Sequence, residues 1–285
     1  INQKIRFERS TLPAPVGVSS ASVSHILGLT SLTGQTTLLT CDMRSGAVQS
    51  VGFRDTEFYL KPVAQLANPA HIEACDLDGN GITDFVAAEL GSFLPEDHDK
   101  GKVIWLRPGS DEPACKPFVL LDGIGRVADV QPADFDADGD VDLVVAEFGW
   151  RRTGRILLLE QVALTDGIPQ FEKRVVDERH GTIHVPVVDL NNDGLPDFIA
   201  LISQEHEVVE AYVNGGDGTF RKETIHAAGD PSFGSSGIQI VDLDRDGDFD
   251  VLYTNGDSLD SHILKPYHAI HWLENRGQFP FKQHH

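Results

Sequence analysis

A nine-residue acidic motif occurs four times in this chain at a nearly fixed interval. The copies are Asp76-Leu77-Asp78-Gly79-Asn80-Gly81-Ile82-Thr83-Asp84, Asp134-Phe135-Asp136-Ala137-Asp138-Gly139-Asp140-Val141-Asp142, Asp189-Leu190-Asn191-Asn192-Asp193-Gly194-Leu195-Pro196-Asp197 and Asp242-Leu243-Asp244-Arg245-Asp246-Gly247-Asp248-Phe249-Asp250. Each reads D-x-[DN]-x-[DN]-G-x-x-D, and the steps from Asp76 to Asp134, to Asp189 and to Asp242 are 58, 55 and 53 residues. Self-similarity at such a period means an array of similar units that bury their apolar faces against one another. Within each copy, oxygen donors at alternate positions precede a turn-forming glycine, the pattern of a loop that wraps a hard cation such as Ca²⁺. The competing reading is ordinary Asp-Gly turns between strands. Four copies in phase favour the cation.

The motifs lie between short apolar runs. Before them come Ile72 to Cys75, Val130 to Ala133, His184 to Val188 and Ile238 to Val241, and after them Phe85 to Ala88, Leu143 to Ala146, Phe198 to Leu201 and Val251 to Thr254. Rich in β-branched residues and bounded by turns, these read as strands. An EF-hand needs flanking helices and a glutamate at loop position twelve, where this chain has Ala87, Val145, Ala200 and Tyr253. A third run per unit is Gly101 to Leu106, Gly154 to Leu159, Val208 to Val213 and Ala269 to Leu273. A fourth is Pro117 to Leu121, Phe171 to Val176, Phe220 to Ile225 and Phe279 to Lys282. A first unit without the acidic loop runs through Val23 to Leu27, Thr37 to Thr40, Ala47 to Gln49 and Phe58 to Leu60.

Four strands per unit at this period describe a blade, and the expected fold is an all-β, β-propeller domain over residues 1–285, with repeats near 20–62, 70–122, 127–177, 182–226 and 236–282. Arg6-Phe7-Glu8 is in phase with a fourth strand, which leaves one outer strand without partners. Five repeats in this chain of a seven-bladed parent, with blades beyond residue 285, is the expectation drawn from that strand; a closed five-bladed ring is the alternative.

The acidic loop between blade strands resembles the FG-GAP/VCBS repeats of integrin-α-like β-propellers. Glu89-Leu90-Gly91-Ser92-Phe93 and the stretch Trp272 to Phe281 resemble bacterial secreted members. The likeness spans about residues 20–282. It implies that loop positions one, three, five and nine donate side-chain oxygens and position seven its carbonyl. The first site is then Asp76, Asp78, Asn80, Ile82 and Asp84, and the second Asp134, Asp136, Asp138, Asp140 and Asp142. The third is Asp189, Asn191, Asp193, Leu195 and Asp197, and the fourth Asp242, Asp244, Asp246, Asp248 and Asp250. Up to four Ca²⁺ ions are expected. Sites two and four offer more carboxylates than one and three and are expected to bind more tightly.

A formal charge of −21 argues against nucleic acid and anionic membranes as partners. No apolar run reaches transmembrane length, so no membrane insertion is expected. Cys41, Cys75 and Cys115 lack CxxC spacing and read as small core residues. The chain begins at Ile1 rather than Met, as a processed or truncated product does, and low-affinity Ca²⁺ loops suit an extracellular, periplasmic or cell-surface setting.

The end of the propeller opposite the acidic loops carries Glu89 to Asp99, Glu147 to Arg152, Gln204 to His206 and Asn255 to His268, with His71, Arg126, His180, His184 and Asp230 expected in inter-blade loops. A glycan or protein ligand is expected there. Trp150 beside Arg151 and Arg152 suits stacking on a sugar, against the plainer reading of solvated loop charge. No Gly-x-Ser-x-Gly, HExxH or phosphate-cradling glycine loop is present. The functional expectation is a non-catalytic binding or adhesion scaffold. A polysaccharide-degrading lyase, using pairs such as Glu89/His71 or Glu147/His184, and an accessory domain of a larger enzyme are the alternatives.

Overall fold

The computed structural model describes residues 21–30, 34, 36–54, 57–109, 114–256 and 268–284. These fold into five antiparallel sheets arranged as a five-bladed β-propeller. Blade one holds β1 (Val23–Thr30), β2 (Thr36–Asp42), β3 (Ala47–Arg54) and β4 (Glu57–Gln65). Blade two holds β5 (Pro69–Cys75), β6 (Asp84–Glu89), β7 (Gly101–Pro108) and β8 (Cys115–Ile124). Blade three holds β9 (Val127–Ala133), β10 (Asp142–Glu147), β11 (Arg155–Thr165) and β12 (Ile168–Asp177). In blade four, β13 (Thr182–His184) and β14 (Val187–Val188) both pair with β15 (Asp197–Ile202), followed by β16 (Val208–Asn214) and β17 (Phe220–Ala227). Blade five holds β18 (Ser235–Val241), β19 (Asp250–Asn255), β20 (Ile270–Glu274) and β21 (Lys282–His284).

The second strand of each central blade is apolar between its end residues because both its faces are covered. Along β10, Leu143 and Val145 pack with Val86, Ala88 and Trp105 of blade two, whereas Val144 and Ala146 pack with Phe198 and Ala200 of blade four. The alternation of side chains along a strand thus divides one apolar run between two inter-blade cores. Full burial of a large side chain such as Trp105 or Phe135 contributes about 1.5–3 kcal/mol. Outer strands such as β8 face solvent more and alternate accordingly.

Two expected strands shift. The run His184 to Val188 is divided, since Pro186 has no N–H to give the ladder. The last strand starts at Lys282, after Pro280, rather than at Phe279. Each blade is built from consecutive strands, and Arg6 to Glu8 lie outside the described residues.

Four buried clusters join blade one to two, two to three, three to four and four to five. Among the described residues no such cluster joins blade five to blade one. Position two of the acidic loop shows the contrast. Leu77, Phe135 and Leu190 are buried against the next blade, while Leu243 of blade five is 45% exposed. Ile26 and Leu38 on blade one and Ile270 on blade five are exposed as well. Cys41 is fully buried, and Cys75 and Cys115 pack at the edges of two clusters; burial raises all three thiols. No helix among the described residues is long and apolar enough to cross a membrane.

Candidate metal centres and the opposite face

Each acidic motif forms a tight curl joining the first and second strands of blades two to five. The first aspartate organises it. Asp76 accepts the N–H groups of Asn80 (2.9 Å) and Gly81 (2.7 Å), and Asp134 those of Asp138 (3.2 Å) and Gly139 (3.0 Å). Asp189 does the same with Asp193 (3.1 Å) and Gly194 (2.9 Å), and Asp242 accepts Gly247 N–H at 3.2 Å. The position-five side chain then accepts the N–H of position seven, as Asp138 does from Asp140 at 2.9 Å. Position six is a left-handed glycine in all four loops, as its place in the motif requires. Position four is left-handed too. It is filled by Gly79 (φ 66°), Ala137 (63°), Asn192 (58°) and Arg245 (66°), of which only glycine adopts that backbone without cost.

The last aspartate opens the second strand and is buried in every copy: Asp84, Asp142, Asp197 and Asp250 are at most 1% exposed. Asp142 accepts Phe135 N–H (3.0 Å) and Gln161 N–H (2.8 Å), and Asp197 accepts Leu190 N–H (3.0 Å) and Asn214 N–H (2.7 Å). Asp250 accepts Leu243 N–H (3.2 Å), Asn275 N–H (2.8 Å) and Trp272 Nε1–H (3.0 Å). One carboxylate thereby ties the loop to the third strand or the residue just after it. Burial, then the neighbouring Asp136 and Asp138, push the Asp142 carboxyl up to about 6, and burial raises Asp84 and Asp197 likewise.

The donor set fits Ca²⁺. Carboxylate oxygens of Asp76, Asp78 and Asp84 lie within 4.8 Å of one another, as do those of Asp134, Asp136 and Asp142. Oxygens about 2.3–2.6 Å from one Ca²⁺ span such separations. Asp78 Oδ1 and Asp242 Oδ1 are buried without a hydrogen bond, which is costly unless a cation meets them, whereas Asp84 has the Trp105 indole and the Leu77 N–H beside it. Ile82, the position-seven residue of loop one, is 58% exposed, an apolar side chain at a position whose expected contribution is its carbonyl. Loop one differs in one respect: Arg107 Nη2 sits 2.6 Å from Asp78 Oδ2 and already supplies positive charge.

The opposite end corrects several expectations. Glu89 and Glu147 close the second strands of blades two and three, and there they hold the chain. Glu89 accepts the Ala67 N–H, and Glu147 accepts Gly125 N–H at 2.6 Å and pairs with Arg155 at 2.7 Å. Asn255 likewise accepts Ala269 N–H at 2.9 Å. His71 and His184 lie in β5 and β13 instead of inter-blade loops. They contact Glu73 (2.8 Å) and Asp129 (3.7 Å), so the pairs Glu89/His71 and Glu147/His184 do not form. Trp150 is half-buried under the Arg151 guanidinium, 4.5 Å from its ring centre. The N–H groups of Arg151, Arg152 and Thr153 converge on Asp97 Oδ1 at 3.1–3.2 Å. Desolvation opposes ionisation of Asp97, but these donors draw its carboxyl down to about 2. This joins the projecting loops of blades two and three. His180 stands 3.5 Å from Glu205, and Arg126 covers the Phe148 ring. Asp230 accepts Ser232 N–H in a local turn, and residues 257–267 lie outside the described set.

Comparison with known proteins agrees with this architecture. A family model described as FG-GAP-like repeat matches residues 189–253, which contain the third and fourth acidic motifs. No curated protein matches the chain.

Proposed function

Taking the chain as an FG-GAP repeat β-propeller, we propose that it is a Ca²⁺-binding, non-catalytic scaffold. The fold supports a binding or scaffold role in general. In this reading the four loops each hold Ca²⁺ and fix the blades, and the opposite end carries a glycan or protein ligand in an extracellular, periplasmic or cell-surface setting. The observation that carries it is the convergence of carboxylates in loops one and two, together with Asp78 Oδ1 and Asp242 Oδ1 buried without partners in loops one and four. Sites two and four bind most tightly, and site one most weakly, because Arg107 competes there for Asp78. Two of the histidine–carboxylate pairs that the lyase alternative could use, Glu89/His71 and Glu147/His184, do not form.

Asp138→Ala tests the proposal at one loop. Asp138 is exposed, and its carboxylate accepts only a local N–H within the loop. With Ca²⁺ the variant is expected to melt several degrees below the parent. In chelator the gap should close or reverse, since one of several mutually repelling carboxylates is gone. The same deficit in both conditions would reject a metal at that loop.

A further inference from the structure

A second kind of polar cluster lies where the first strands of blades two, three and four meet, away from the acidic loops. His71 is on β5, Asp129 on β9 and His184 on β13. Each stands five residues before the first aspartate of its own acidic motif, so the repeat itself brings the three together. We propose that His71, Asp129 and His184 hold one divalent transition-metal ion of the Zn²⁺ type, with a solvent molecule in the fourth position.

The ligand-type atoms of His71, Asp129 and His184 lie within 4.8 Å of one another. His71 Nε2 is 3.2 Å from Asp129 Oδ1, and His184 Nδ1 is 3.7 Å from Asp129 Oδ2. Donors about 2.0–2.1 Å from a tetrahedral ion stand roughly 3.3–3.4 Å apart, so small side-chain adjustments close the shell. Around His71 Nε2 gather Glu73 Oε1 at 2.8 Å, Asp129 Oδ1 at 3.2 Å and the Gln131 amide at 3.1 Å. The Gln131 amide nitrogen, 3.0 Å from Asp129 Oδ1 as well, stands among these acceptors and takes the place an ion would hold; a metal ion there displaces it and engages the imidazole and Asp129 together. Imidazole nitrogen with carboxylate selects Zn²⁺ and its neighbours, whereas the all-oxygen loops select Ca²⁺.

The surroundings are built. Asp129 is 1% exposed and takes the Val185 N–H at 2.9 Å, which fixes its orientation. His25 of blade one stacks on His71 at 3.7 Å, its Nδ1 held by Ile72 N–H. Such outer contacts hold first-shell ligands in place. His184 is 30% exposed at its side chain and Glu73 is 23% exposed, which leaves a route for the ion.

Co²⁺ titration of chelator-washed protein in saturating Ca²⁺ tests this independently of the calcium loops. The expected result is one equivalent of Co²⁺ with the visible band of a four-coordinate ion, bleached by Zn²⁺. His184→Ala, at a partly exposed position, should weaken binding about 100-fold or more; if it does not fold, His184→Phe is titrated in the same way. Absence of a saturable band overturns the proposal and leaves His71 as an ion-paired imidazole. An undiminished band in the His184 variant also overturns it, by moving the metal to another histidine.

Discussion

Asp142→Ala is expected to cost about 3–5 kcal/mol in Ca²⁺, a fall of about 10 °C in the melting midpoint. Asp142 is buried and accepts two backbone N–H groups, from Phe135 and from Gln161. Each is a hydrogen bond to a charged acceptor, worth about 1.5–3 kcal/mol, and their loss strands two donors. Phe135 is itself the contact of blade three with Phe198 and Phe220 of blade four, so its turn also sets an inter-blade core. The proposed metal loses a ligand at the same time. Calorimetry in Ca²⁺ and in chelator separates the contributions. A substantial part of the loss persists without metal, unlike that of Asp138→Ala. A total loss under about 1 kcal/mol would show that Asp142 does not tie the blade together.

Arg179→Ala is the second large effect, about 3 kcal/mol, because it removes the chief partner of two buried carboxylates. Arg179 bonds to Asp177 through Nε (3.0 Å) and Nη2 (2.7 Å), and also reaches Glu210 and the Tyr212 hydroxyl. Tyr212 donates to Asp177 at 2.7 Å. Asp177 and Glu210 are both buried, so without the guanidinium only the Lys222 ammonium, 3.3 Å from Asp177, is left to balance two negative charges. Burial alone would raise the Asp177 carboxyl, but the bonds from Arg179 and Tyr212 outweigh it and hold it well below the ordinary value of 3.8. A depressed folded pKa contributes stability that is present above the unfolded value and lost as pH falls through the folded one. The parent therefore keeps this stabilisation down to about pH 4. In the variant Asp177 takes up a proton more readily, so the deficit should be greatest near pH 7 and shrink towards about pH 4. Denaturant unfolding of both proteins at pH 7 and pH 4.5 gives the comparison, and a deficit that is small or independent of pH would contradict the account.

Much of the fold was legible because the repeat makes every strand visible several times. The apolar run Leu143 to Ala146 reads as a strand from its composition, and its continuous burial follows from having a blade on each side. The acidic loops were legible for the same reason, down to the glycine at position six. The left-handed position four was not, since Ala137 and Arg245 carry no sign of a backbone that Gly79 adopts freely. Glu89 and Glu147 look like rim residues in the sequence because an acidic side chain at a strand end resembles a binding group. Their partners, the N–H groups of Ala67 and Gly125, belong to linkers whose path is set only by packing. His71, Asp129 and His184 come from three blades, and no local pattern joins them. The available signal was their equal distance from the acidic motifs, which becomes visible once the repeats are laid over one another.

The most direct test of the central claim, that the acidic loops hold Ca²⁺ and thereby secure the blades, is a pair of melting curves, one in millimolar Ca²⁺ and one in excess chelator at the same ionic strength. The account predicts a metal-free midpoint lower by about 10 °C or more, restored on adding Ca²⁺, as linkage requires for ions that bind only the folded state. Coincident curves would contradict it and return the four motifs to the status of acidic turns.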